Sequence, residues 1–184
     1  MAHQFTTSYV KDSEDLFRMY KKLAERALAQ CPDADLLTAV DGESNCIAVI
    51  VKHMAGNMRS RWRDFLTTDG EKPDRNRDAE FETPPQTRAE MMEMWEAGWK
   101  YLFDALQALD DTALTQTVMI RTEPHSVMQA VNRQIGHYSY HVGQITFLAK
   151  HFAAQAGSWT ALTVPRNKSG EFNRKVAAGE ASQR

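Results

Sequence analysis

The sequence predicts an all-α fold, a four-helix bundle, on three observations. Apolar residues recur at helical spacing in four separate stretches. Start signals precede three of those stretches. The segments between them are polar and carry the Pro, Gly and Asp residues at which helices stop. Four such amphipathic helices bury their stripes against one another. With 184 residues, 42% of them hydrophobic and 25% charged, the chain suits one domain over 1–184 with a substantial core.

Residues 1–10 read as an irregular lead-in, and a first helix is expected over 13–30. Asp12 and Ser13 offer cap oxygens, and Glu14 and Asp15 suit a first helical turn. Leu16, Tyr20, Leu23 and Ala27 make a stripe that Phe17, Ala24 and Leu28 widen. Cys31-Pro32 ends it, because the residue before Pro avoids the helical region. After a connection closing at Asp41-Gly42, a second helix is expected over 44–66, with Ile47, Val51, Met54, Met58, Trp62 and Phe65 inward. Residues 67–86 are polar and long for a connection, and read as crossing one end of the bundle.

Thr87-Arg88-Ala89-Glu90 fits a capping box and opens a third helix over 87–109. Met91, Trp95, Gly98, Leu102, Ala105 and Leu109 form its stripe, with Leu106 beside them. Thr117 to Arg121 is β-prone, a short strand or an extended linker. Thr122-Glu123-Pro124 reads as the start of a fourth helix over 124–154, whose stripe runs Val127, Val131, Ile135, Tyr138, Val142, Ile145, Ala149 and Phe152. The last ten or so residues are small and polar and read as frayed.

Net charge is about −2, too little to draw nucleic acid or an anionic membrane. The sequence has no 18-residue apolar run and no signal-peptide pattern, so a cytoplasmic protein is expected. Cys31 and Cys46 form neither a C-x-x-C pair nor a disulfide framework, and read as buried thiols. Val49, Trp99, Phe103 and Phe147 lie outside the main stripes, which suggests a homodimer through helix faces.

The chemistry concentrates at His137-x-x-x-His141 in the fourth helix. Two residues four apart differ by about 40° around the axis and about 6 Å along it, so their rings can converge on one ion. Such pairs also occur as exposed or hydrogen-bonded side chains. Tyr138 stands where H-E-x-x-H would have its Glu. His53 lies on a flank of the second helix's stripe and has its own bland reading as a boundary residue. If the two helices are neighbours, His53, His137 and His141 can meet at a groove edge and leave a coordination position open. Asn57, one turn after His53, and Gln144, on the flank of His141, are placed to support the site. Arg166, Lys168 and Arg121 are candidates to hold a substrate carboxylate, against a plainer reading as solvated charge. His125 and His151 have no ligand-spaced partner.

His53 within Lys52-His53-Met54-Ala55-Gly56-Asn57-Met58, together with His137-Tyr138-Ser139-Tyr140-His141-Val142-Gly143-Gln144, resembles the DinB-like superfamily of bacterial metal-binding four-helix bundles. Leu162-Thr163-Val164-Pro165-Arg166, followed by Phe172-Asn173, looks like the tail of a branch whose activity is largely unassigned. The resemblance covers nearly the whole chain. It implies that His53, His137 and His141 bind one divalent metal, Zn or Ni. Relatives include bacillithiol- and mycothiol-dependent enzymes, mainly S-transferases, which implies a low-molecular-weight thiol as co-substrate and a small-molecule electrophile as its target. Two other readings stay open, a hydrolase or isomerase working with metal-bound water, and a non-catalytic metal-binding or stress-response dimer. Helical spacing places no carboxylate beside the His pair to serve as a base, which favours thiol chemistry.

Overall fold

The computed structural model describes residues 7–182, so residues 1–6 of the expected lead-in and the last two of the tail lie outside the described residues. The long helices are α1 (Tyr9–Leu28), α2 (Ile47–Trp62), α3 (Arg88–Gln107) and α4 (Val127–Gln155). They form an all-α bundle in which α2 packs mainly on α3, α1 on α4, and α2 also meets α4. Strands β1 (Thr117–Ile120) and β2 (Glu123–Ser126) make a small antiparallel hairpin before α4. A short helix, α5 (Ser169–Ala177), lies in the tail. None of the helices described is long and apolar enough to cross a membrane.

The four expected helices are present, and their ends correct the sequence reading. Ser8, rather than Asp12 or Ser13, caps α1, its hydroxyl accepting from the Lys11 amide. Ser13 is instead buried, and the α1 core face centres on Phe17, Ala24 and Leu28. Helix α2 stops at Trp62, and Phe65 is buried from the turn beyond it. Thr87 caps α3 as expected, accepting from the Glu90 amide. Thr122-Glu123-Pro124 does not start α4. Glu123 and Pro124 belong to β2, and Ser126 is the cap, in a reciprocal box with Gln129. Of the last ten or so residues, expected to fray, 175–177 close α5, none of which is buried, and 178–182 are outside any helix.

The centre of the bundle is aromatic. Phe17, Trp62, Trp99 and Tyr138 lie with ring centroids 5.8–6.4 Å apart in edge and tilted contacts. Trp99 is fully buried, Val49 nearly so, and Phe103 stacks on Trp99, so three of the four residues offered for a dimer face are occupied within the chain. Phe147 is exposed. Cys31 and Cys46 are buried, and burial pushes the Cys31 thiol up to about 11, the condition of an inert thiol.

Candidate metal centre

Helices α2 and α4 bring His53, His137 and His141 to one point. One ring nitrogen from each lies within 4.8 Å of the others. The Nε2 atoms of His53 and His137 are 3.4 Å apart, and those of His137 and His141 are 3.2 Å apart. His53 and His141 are buried, and His137 is half-buried.

The opposite ring nitrogens are all engaged with oxygen. His53 Nδ1 meets Glu80 Oε2 at 2.8 Å, His137 Nδ1 meets Gln134 Oε1 at 3.3 Å, and His141 Nδ1 meets Gln144 Oε1 at 2.8 Å. An acceptor at Nδ1 holds the proton there, and the Nε2 lone pair then faces inward. Three such lone pairs converge on one another.

Glu80 comes from the connection between α2 and α3, in a one-turn 3-10 helix over Asp78–Phe81. Arg75 clamps both its oxygens, Nε to Oε1 at 2.8 Å and Nη2 to Oε2 at 2.9 Å. Burial opposes the Glu80 charge, but the bonds from His53 and Arg75 outweigh it and its pKa is lowered. Gly56 makes this approach possible, because a Cβ there would stand 2.3 Å from Glu80 Oε1. Phe81 lies against the His53 ring, with centroids 4.6 Å apart. The connection therefore forms part of the site rather than merely crossing an end of the bundle.

Electrostatics keep the imidazoles of His137 and His141 neutral. Burial, the neighbouring His141 and His53, and the charges of Arg61 and Arg75 bring His137 down to about 3. Burial chiefly brings His141 to about 4, against the bond to Gln144. Neutral imidazole is the form that coordinates.

Beyond the rings a cavity of about 470 Å³ opens between α2, α4 and the hairpin tip. His53, His137 and Asn57 line it, together with Arg61, Arg75, Arg77, Arg121 and Arg133. Arg121 and Thr122, at the hairpin tip, both have positive φ, a strained backbone for these residues. Asp69 holds them, its carboxylate accepting from the Arg121 amide at 2.8 Å and the Thr122 amide at 2.7 Å.

The other sequence candidates divide. Gln144 bonds a site imidazole directly. Asn57 lines the cavity, but its Oδ1 accepts from Tyr138 Oη at 2.9 Å, and that hydroxyl accepts from Trp62 Nε1 at 3.1 Å. Asn57 thus ties the site to the aromatic core. Arg121 lines the cavity, whereas Arg166 and Lys168 do not; Arg166 is exposed and Lys168 pairs with Glu171. Tyr140 is half exposed and lies over His141, with centroids 4.1 Å apart. His125 is half-buried in β2 and His151 is exposed, and both lie outside the cluster. The sequence reading missed Glu80, Arg75, Arg61 and Gln134. Only Gln134 had a legible signal, since a Gln three residues before His137 mirrors Gln144 three residues after His141.

A family model described as "Protein of unknown function (DUF1572)" matches residues 4–168. No curated protein and no solved structure matches the chain.

Proposed function

The chain belongs to the DUF1572 family, and for it we propose a divalent-metal-binding bundle of the DinB-like type that activates a low-molecular-weight thiol for attack on a small electrophile. One observation carries the metal reading. Three Nε2 atoms face one another, with two of the separations 3.2 and 3.4 Å, while every Nδ1 is engaged. Two imidazole donors at tetrahedral angles on one zinc stand about 3.3 Å apart, so the donor set fits such an ion. The His spacing, and the Val142-Gly143-Gln144 that follows it, support the DinB-like placement.

His53, His137 and His141 would hold the ion, which would supply a lowered pKa to a thiol bound beside them. The chain's own residues prepare the place. Glu80, Gln134 and Gln144 fix the tautomers, and burial keeps the His137 and His141 rings unprotonated. Glu80 is the carboxylate that helical spacing could not reveal. Both its oxygens accept from Arg75, and one also meets His53, so it serves as a positioning residue rather than a free base. That favours thiol chemistry over metal-bound water.

Metal stoichiometry after equal exposure to Zn and Ni tests the site, on wild type and on His53→Ala, His137→Ala and His141→Ala. Wild type should hold one ion per chain and each variant should lose it while staying folded. Wild type without metal, or variants with unchanged affinity, would refute the site. Metal-dependent consumption of a small thiol in the presence of an electrophile tests the chemistry. A loaded protein that leaves every thiol unreacted would leave a binding module.

A further inference from the structure

We propose that the cavity beside the three imidazoles binds the carboxylate or phosphate group of a small anionic ligand, with Arg61 as its buried anchor. The placement of the ligand's reacting atom at the ion rests on the metal reading above; the anion binding does not.

Arg61 sits two turns beyond His53 on α2, about 12 Å along the axis, with Asn57 between them. It lines the cavity and is only 4% exposed. Its Nε and Nη1 are buried and have no hydrogen-bond partner among the described residues. Burial pulls its pKa down, so holding the charge there is unfavourable. Unpaired buried donors and charges are costly, and such groups are completed by ordered water, an ion or a ligand. The backbone makes room for this one, since a Cβ at Gly70 would stand 2.6 Å from Arg61 Nη1.

The neighbouring arginines show the contrast. Arg75 pairs with Glu71 and Glu80, and Arg121 with Glu71. Arg61 and Arg133 have no ion pair among the described residues, and Arg133 stands exposed on α4 at the rim. Among the described residues the cavity lining includes Arg61, Arg75, Arg77, Arg121 and Arg133 but no carboxylate. In a chain of net charge −2 this is a local positive field, focused in a concavity. Its volume of about 470 Å³ is that of a small-molecule site rather than of a surface that tracks a polymer. Guanidinium forks bind carboxylate and phosphate oxygens in pairs, and both chemistries fit.

The test is calorimetric titration of the full chain, metal-free and Zn-loaded, with succinate in one arm and inorganic phosphate in the other. Wild type should bind at least one of them saturably, and the tighter arm identifies the group. Arg61→Met should weaken that binding roughly ten- to a hundredfold. It should unfold at the same temperature or higher, because an unpaired buried charge has gone. Arg133→Gln should weaken binding less, and Arg26→Gln, an exposed arginine on α1, should leave it unchanged. Should Arg61→Met fail to fold, Arg61→Lys and the rim variant Arg133→Gln carry the test. Absence of saturable binding of either anion to wild type overturns the proposal. So does binding that the cavity variants leave intact, or that Arg26→Gln weakens as much as they do. His141→Ala separates the two readings, since His141 belongs to the imidazole cluster but does not line the cavity, so the variant should lose metal and keep the anion. A wild type that takes no metal but binds the anion defeats the metal reading alone.

Discussion

Two polar segments flank the bundle, the connection over 63–87 and the tail over 158–182, and they behave in opposite ways. Both carry Pro, Gly and mixed charge, and neither has an apolar period. The connection is stitched to α2. Ser60 Oγ donates to the Gly70 carbonyl at 2.9 Å and accepts from the Lys72 amide at 3.0 Å. Lys52 Nζ donates to the carbonyls of Ala79 and Thr83. Glu80 and Lys72 are buried, and Arg75 is paired on both sides. The tail holds on early, where Trp159 packs on the core, Leu162 is buried and Thr160 bonds Gln30. Past that point the ion pairs of Lys168 and Lys175 with Glu171 stay within the tail and exposed. Composition does not separate the two segments. Whether polar side chains are taken out of water and paired against a helix does, and only the connection reaches the site.

The largest expected effect that sharpens this contrast is at Glu80. Glu80→Ala removes the acceptor on His53 and leaves Arg75 buried with only Glu71 as a partner. Breaking a buried pair on one side costs about 3–5 kcal/mol. Metal affinity should also fall, by roughly 10–100-fold, as expected for a group that orients a ligand. Denaturant unfolding with and without Zn measures both. A Glu80→Ala protein within about 0.5 kcal/mol of wild type would put the connection on the same footing as the tail.

Acid comes next. His137 and His141 titrate at about 3 and about 4 in the folded chain, below the ordinary 6.5, because burial and neighbouring positive groups disfavour their protonation. The unfolded chain therefore binds protons that the folded chain does not, as the pH falls below 6.5. Stability of the metal-free protein should be full above that pH, decline toward pH 4 and 3, and stop declining from this source below about 3. The lowered pKa of Glu80 adds loss at the acid end. Equilibrium unfolding at intervals from pH 7 to 3 reads the slope. Replacing both His137 and His141 by Gln should flatten the upper part of it, and a slope unchanged in that double variant would locate the sensitivity elsewhere.

Much of the fold was legible because helices announce themselves locally. The stripe from Val127 to Phe152 and the cap at Thr87 needed only neighbouring residues to be read. Pro124 misled because Pro suits the first turn of a helix and the edge of a hairpin equally well, and the reciprocal Ser126–Gln129 box decided the matter. The three imidazoles were legible because helical spacing fixes where they point. Glu80 and Arg75 were not, because their approach to His53 depends on the path of an aperiodic connection and on the missing side chain at Gly56. Arg61 was hidden differently, since nothing in a sequence shows that a charged helical residue turns inward without a partner.

The smallest expected effect is in the tail, where the sequence pattern had suggested more. Arg166 is exposed and does not line the cavity, and α5 buries none of its nine residues. A helix that short gains little from its own hydrogen bonds and here has no buried apolar face to hold it. Deleting residues 166–184 should change unfolding free energy by less than about 0.5 kcal/mol, with metal stoichiometry and anion binding unaltered; Arg166→Ala alone should do the same. Cutting earlier, after Gly157, should be measurably worse, because it removes Trp159 from the core, Leu162 from its buried place and the bonds between Thr160 and Gln30. The boundary between a structural and a dispensable tail then falls between Leu162 and Arg166. If the shorter deletion weakened metal or anion binding as much as Glu80→Ala does, residues beyond Pro165 would have to reach the cavity in solution, and the contrast between the two segments would fail.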